Sequence, residues 1–397
     1  METLESLFES ELVTEITSYP LQKTEKGTVV IKENYKVPEI PILIRGRIRV
    51  SQTTNGNNQT KVYDILPIES CILSLVAAQK NKLSLGNGIV EVESEIIFVP
   101  AVKTLEWYEK YTSWRTFVSG LYNKRLSELI EQRNQIQEQA KRIADQKNEI
   151  TESIRYARQI QKVILQSPAS FKSYVPNSFI LNRPKDIVSG DFYWSFDTPD
   201  RVLFAVADCT GHGVPGAMLS IICYKKLNEV VSNNSNMAVG KILDEMALKI
   251  EALFETKEMT LSDGMDIALC AIDKKTGQFS FSGANNSIYL ADSEEGTINE
   301  FKANRQPIGK ADCRIPFQTQ IINYKKGSFL YLMTDGFMDQ FGGDKGKKLR
   351  KSGLKTILSK ASSKEVADKK SFLNFALEEW KGKEEQVDDI LLVGLQL

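Results

Sequence analysis

From about Val118 to Leu165 the chain holds no proline and a single glycine, Gly120. Apolar residues return there every seven positions: Tyr122, Leu129, Ile136, Ile143, Ile150, Ala157 and Ile164. The positions three residues before these, from Leu126 onward, are mixed. Leu126 and Ile154 are apolar and Ala140 is small, while Arg133, Lys147 and Gln161 are polar. One seam is consistently apolar and the other diluted, the pattern of a weak coiled coil. Roughly 48 residues at about 1.5 Å each reach roughly 70 Å, beyond the diameter of a small domain. A helix of that length needs a partner along it, and a parallel second copy of the chain is the expected one; a single amphipathic helix packed on its own domain is the alternative. The stretch also cuts the sequence into three: residues 1–117, the helical linker 118–165, and 166–397.

Length supports the division, since 397 residues at about 150 per domain suggest two or three. The 51 Lys+Arg balance 51 Asp+Glu, which gives no general attraction to nucleic acid or to a membrane surface. A single histidine, His212, excludes metal centres built from two or more histidines. The five cysteines are odd in number and widely spaced, with no C-x-x-C pair, so a disulfide framework or zinc knuckle is not expected. The acidic start METLESLFESELVTE has no positive n-region, and nowhere do 18 apolar residues run together. A cytoplasmic protein whose chemistry rests on carboxylates is expected.

Residues 1 to about 115 read as short strands, including Gly27–Ile31, Ile42–Val50, Lys61–Leu66 and Ile89–Pro100. An Asn-Gly turn lies within Thr53–Thr60. Such strands suggest a small β-barrel or jelly roll. After about Ser167, strand-like runs (Ser178–Asn182, Arg201–Ala207, Asp266–Ile272, Gln278–Ser282, Ser287–Ala291, Ser328–Met333, Ile390–Leu395) alternate with helical ones. The helical runs are Val214–Val231, Val239–Glu255, Leu354–Ala361 and Lys364–Lys381. Hairpin turns are expected at Asp273–Gly277 and Ser293–Gly296. Hairpins with helices set apart point to an α+β fold.

Four acidic positions in this last region sit at strand ends. Asp191 lies in SGDFYW, Asp208 ends VLFAVAD, Asp335 ends FLYLMTD, and Asp388 with Asp389 opens DDILLVGL. Any one of them could be a turn or helix cap. If several gather on one sheet edge, their repulsion calls for a cation. An all-oxygen set selects hard ions, Mg²⁺ or Mn²⁺.

SGDFYW, DCTGHGVPGAMLS, MTDGF and the terminal DDILLV resemble, in that order, the metal motifs of SpoIIE-type phosphatases. These form a bacterial branch of the metal-dependent PPM superfamily of Ser/Thr protein phosphatases. YARQIQKVILQ, RPKDIVSGDFYW, FSGANNSIYL and QPIG fit as supporting segments, so the resemblance covers about 155–397. It implies an α-β-β-α sandwich with two metal ions at one end of its sheets. It also implies hydrolysis of phosphoserine or phosphothreonine by metal-activated water. Asp208 would bridge both ions, Asp191 would hold one side, and Asp335 and Asp388 the other. Cys209 would contribute its backbone carbonyl, and Asp389 would support a ligand. The implied substrates are phosphorylated STAS-type anti-anti-sigma proteins. A phosphoprotein-binding scaffold without turnover is the alternative. Where many relatives have a histidine in the hairpin after the core strand, this chain has Asn285 and Asn286.

His212 lies in a Gly-His-Gly turn just after Asp208. It could act as general acid towards the leaving serine oxygen, or serve the turn's geometry or a phosphate contact. Lys185 could touch phosphate or be solvated.

GRIRVSQTTNGNNQTKVYDILPIESCILSL (Gly46 to Leu75), then EIIFVP and a helix, resembles the Crp/Fnr-type effector domain, a β-roll followed by a dimerisation helix. The nucleotide-binding members carry a Gly-Glu and a later Arg. Here Pro67-Ile-Glu-Ser70 lacks the Gly, and Asn81–Ser94 contains no Arg. A phosphate would lack its bidentate partner, so another small-molecule ligand or pure dimerisation is equally compatible. No DNA-reading helix-turn-helix follows.

Overall fold

The computed structural model describes residues 4–54, 58–69, 75, 83–256, 259–260, 263–293, 296–309 and 314–397. The Asn-Gly turn, the centre of the Ser293–Gly296 turn, Cys71, Cys313 and parts of the Pro67–Ser70 and Asn81–Ser94 stretches lie outside the described residues. The chain divides into two compact units, Met1–Ala144 and Asp145–Leu397. The helical pattern is a single helix, Thr112–Ile164, of 53 residues. Among the described residues no helix is long and apolar enough to cross a membrane.

The first unit holds a five-stranded antiparallel sheet. Strand Asn87–Pro100 pairs with Leu21–Thr24, Val29–Ile31 and Glu39–Thr54, and the last pairs onward with Asn58–Ile65. The register of Glu39–Thr54 against Asn87–Pro100 shifts around Gly46. Gly46 has φ +113°, and a Cβ there would overlap Ser94, so only glycine suits this bulge. The sequence pattern did not anticipate helices at Leu4–Leu7 and Ser10–Thr17. They form because Phe8, Leu12 and Ile16, spaced by four, make one apolar stripe. That stripe is buried in one cluster with Trp107, Trp114 and Val118.

The second unit has two antiparallel sheets. One runs Gln320–Ile322, Phe279–Ala284, Gly264–Asp273, Arg201–Cys209, Phe192–Asp197, with the short Ile308–Gly309 also on Gly264–Asp273. The other runs Ile298–Phe301, Ile288–Ala291, Phe329–Met333, Ile390–Gln396, Ser178–Arg183. Side chains alternate across each strand. Phe204, Val206, Ala268 and Phe281 of the first sheet meet Ile288, Leu330, Leu332 and Val393 of the second in a shared core. Leu203, Ala205 and Ala207 face the other way, onto helices Gly213–Asn233 and Val239–Phe254. On the far side, Tyr289, Tyr331 and Leu392 meet helices Arg350–Ser362 and Val366–Lys381. The four layers are helix, sheet, sheet, helix.

Candidate functional site

Register brings the acidic residues together. The pairing of Phe192 with Ala207 carries Asp191, one residue earlier, beside Asp208. On the other flank Asp266 stands directly opposite Asp208. In the second sheet Met333 pairs with Leu392, so Thr334-Asp335 and Asp388-Asp389 leave the sheet at the same edge. The Asp208 carboxyl is within hydrogen-bond reach of both Asp191 and Asp335. Asp388 is near enough for its charge to act on all three.

Their supports are specific. Asp191 is 3% exposed; it accepts a bond from Thr334 Oγ1 at 2.8 Å, and its own amide donates to Ser189 Oγ at 3.1 Å. Thr334 Oγ1 in turn accepts from the Leu391 amide at 3.0 Å, which ties Asp191 to the second sheet. Asp389 accepts from the Lys185 and Gly190 amides, one on each oxygen, both at 2.8 Å. Asn285 Nδ2 donates to Asp266 at 2.9 Å. Asp208, Asp266 and Asp335 share the lining of a cavity of about 70 Å³ with Asn285 and Asn286. The buried Asn286 Nδ2 has no partner among the described residues.

Burial first, and then the charge of Asp208, raises the Asp191 carboxyl well above its ordinary range, against the lowering bond from Thr334. Burial and then the charges of Asp335, Asp388 and Asp266 push Asp208 up to about 8. Asp335 is raised by burial and then by Asp388, and Asp266 by burial. Among the described residues, none of these four forms an ion pair with Lys or Arg. Lys351, in the cavity wall, is engaged by Glu300 at 2.7 Å.

Among the described residues, no three His, Cys, Asp or Glu side chains are grouped as they would be around a metal ion. The donor set is entirely hard oxygen and gathers like charges around the buried Asp191, which fits Mg²⁺ or Mn²⁺ and not a soft ion. Cys209 offers no thiolate. Burial and then the neighbouring Cys223 raise its thiol, while its carbonyl oxygen lies 3.1 Å from the point a Cβ on Gly190 would occupy.

Asp191, Asp208, Asp335 and Asp388 are thus gathered at one edge, whereas the His212 ring is half exposed and pairs with Asp186. The sequence reading missed Asp266 and Thr334. Asp266 opens an expected strand, and a carboxylate at that end was a signal equal to the other four. Gln161 is a correction. Read as a polar dilution of the coil seam, it is 6% exposed, and its Nε2 donates to the Ser189 carbonyl at 2.7 Å and to Ser220 Oγ at 3.0 Å. Tertiary docking, not the heptad, explains its polarity.

The sequence profile of the family described as Stage II sporulation protein E (SpoIIE) matches residues 198–397. The SiaA-PP2C domain of Pseudomonas aeruginosa is similar at 29% identity and a TM-score of 0.58, over 64% of this chain and 98% of that one. The PP2C phosphatase domain of SpoIIE from Bacillus subtilis, with a fragment of its regulatory domain, gives 17% identity and a TM-score of 0.46. That match covers 55% of this chain and 62% of the other. No curated protein matches. The four-layer fold, the carboxylate edge and the profile agree: the chain belongs to the SpoIIE family and carries a PP2C-type serine/threonine phosphatase domain.

Proposed function

We propose that the chain is a Mn²⁺- or Mg²⁺-dependent phosphatase of phosphoserine and phosphothreonine in a protein substrate of the STAS anti-anti-sigma class. The observation that carries this reading is the set of carboxyls at one sheet edge, from the buried Asp191 to the exposed Asp335, without a Lys or Arg partner among the described residues. Asp191, Asp208, Asp335 and Asp388, with the Cys209 carbonyl, would hold two ions, Asp208 being shared. When bound, such ions lower the pKa of water and neutralise phosphoryl oxygens. Thr334 orients Asp191, and Asp389 fastens the loop from Lys185 to Gly190. His212 supplies a proton to the leaving serine oxygen.

In this reading residues 1–117 form a Crp/Fnr-like sensor, 118–165 a dimerising coil and 166–397 the enzyme. Leu129, Ile136, Ile143 and Ile150 are all exposed on the single chain, the expected state of a seam awaiting its second copy. A ligand or the dimer state of the sensor would act through the helix, whose end is bonded to the loop before Asp191 by Gln161. The test is Mn²⁺-dependent hydrolysis of a phosphoserine protein by full-length Asp208→Ala and Asp335→Ala. Both should lose activity by several orders of magnitude with unchanged circular dichroism. Full activity in both overturns the assignment.

A further inference from the structure

The Gly-His-Gly turn is built to aim one side chain. Gly211 and Gly213 have φ of +85° and +66°, a region that L residues avoid. Between them His212 stands at the cap of helix Gly213–Asn233 without using its side chain as a cap. The Gly211 carbonyl comes within 2.9 Å of the Cβ position of Gly190, so the turn packs beside the residue preceding Asp191. The imidazole reaches across to a different loop, where its Nδ1 lies 3.0 Å from Asp186 Oδ2. That same oxygen lies 3.4 Å from where a Gly213 Cβ would be. The loop carrying Asp186 is held from both sides, since the Lys185 and Gly190 amides each donate to Asp389. Nε2 of His212 has no hydrogen-bond partner among the described residues.

We propose that Asp186 is a positioning residue for phosphate-ester cleavage: it accepts Nδ1–H of His212 and so presents Nε2–H to the leaving oxygen. This rests on the phosphatase reading above and on His212 as its proton donor. A carboxylate on one ring nitrogen decides which tautomer and orientation the other presents. In the step itself, water attacks phosphorus, forming the new P–O bond and releasing a proton to solvent. The bond from phosphorus to the serine oxygen breaks, and its electron pair goes to that oxygen. Imidazolium Nε2–H supplies the proton that makes it a hydroxyl. The neutral ring keeps Nδ1–H on Asp186 and regains its proton from solvent. The sum is phosphoserine and water to serine and inorganic phosphate.

A leaving-group comparison on the full-length protein with Mn²⁺ tests this, because only poor leaving groups need a proton in the transition state. Phenyl phosphate has such a group; 2,4-dinitrophenyl phosphate leaves without help. His212→Gln should lower kcat on phenyl phosphate about a hundredfold and change the dinitrophenyl ester little. Asp186→Asn should show the same selectivity at about tenfold with KM unchanged, Asp186→Glu should regain part of it, and the double variant should be no slower than His212→Gln alone. Equal loss on both esters would mark Asp186 as merely structural and overturn the proposal. So would a wild-type profile in Asp186→Asn alongside a selective loss in His212→Gln. No selective loss in His212→Gln removes its role as acid, and Asp186's with it. A wild-type protein inert towards both esters refutes the phosphatase reading itself.

Discussion

Replacing Gln161 by Leu removes a buried polar side chain while keeping most of its volume. Its Nε2 bonds, at 2.7 and 3.0 Å, reach Ser189 and Ser220, which are 5% and 0% exposed. Ser220 keeps a use for its hydroxyl, which donates to the Ala217 carbonyl at 2.8 Å. The Ser189 carbonyl has no second partner among the described residues, so the variant leaves it buried and unpaired. Stranding that group costs about 1–3 kcal/mol, and the other lost bond adds about 0.5–1.5 kcal/mol. The sum, about 1.5–4.5 kcal/mol, is a factor of roughly 10 to 2,000 in the opening constant of the helix end. A thermal melt would dilute this effect, because a chain of two units need not unfold in one step. Native-state amide exchange reads it directly, as loss of protection in the last two turns of the helix by that factor. The Asp191 amide bonds Ser189 Oγ, so Mn²⁺ affinity should fall as well, by about tenfold. Protection within twofold of wild type at those amides would refute the argument that Gln161 docks the helix.

Three more outcomes follow from other parts of the chain. Ile143 is 65% exposed on the single helix; sedimentation of the full chain should give a dimer and Ile143→Asp a monomer, and a wild type that stays monomeric at high concentration defeats the coil. Glu15 accepts bonds from Tyr111 at 2.6 Å, Lys110 at 2.9 Å and Trp107 at 2.6 Å, which hold its carboxyl down from 4.5 to about 2. A depressed folded-state value means stability present above the ordinary carboxyl range and lost as pH falls towards 2. The urea midpoint of the wild type should therefore drop more steeply between pH 5 and about pH 2 than that of Glu15→Gln, and parallel curves would show that Glu15 contributes nothing. Removal of divalent ions by chelation should abolish phosphoserine hydrolysis, with Mn²⁺ restoring it; activity that survives chelation contradicts a metal-dependent site.

What the sequence revealed and what it hid follow one physical line. Strand ends were legible because a carboxylate beside an apolar run stands out: Asp208 and Asp335 close such runs, and Asp191 and Asp388 precede them. Which ends share an edge is a matter of register, and register depends on pairing between segments far apart in the chain. The contact of Asp266 with Asp208 spans the whole helical pair between their strands, so no local pattern could announce it. Thr334 was hidden for a related reason, since a threonine beside a motif aspartate becomes a clamp only once the second sheet brings it to Asp191. Gln161 shows the converse error. A heptad reading assigns every position by period and so treats a polar residue as weakness in the seam, yet the end of this helix docks on its own domain. The exposed isoleucines up to Ile150 and the buried Gln161 bracket the transition. Between them the helix goes from exposed apolar side chains to a polar one buried against its own catalytic unit. The polar contact lies two residues from Asp191, so a small displacement of the helix end there breaks a bond instead of merely sliding one apolar surface past another.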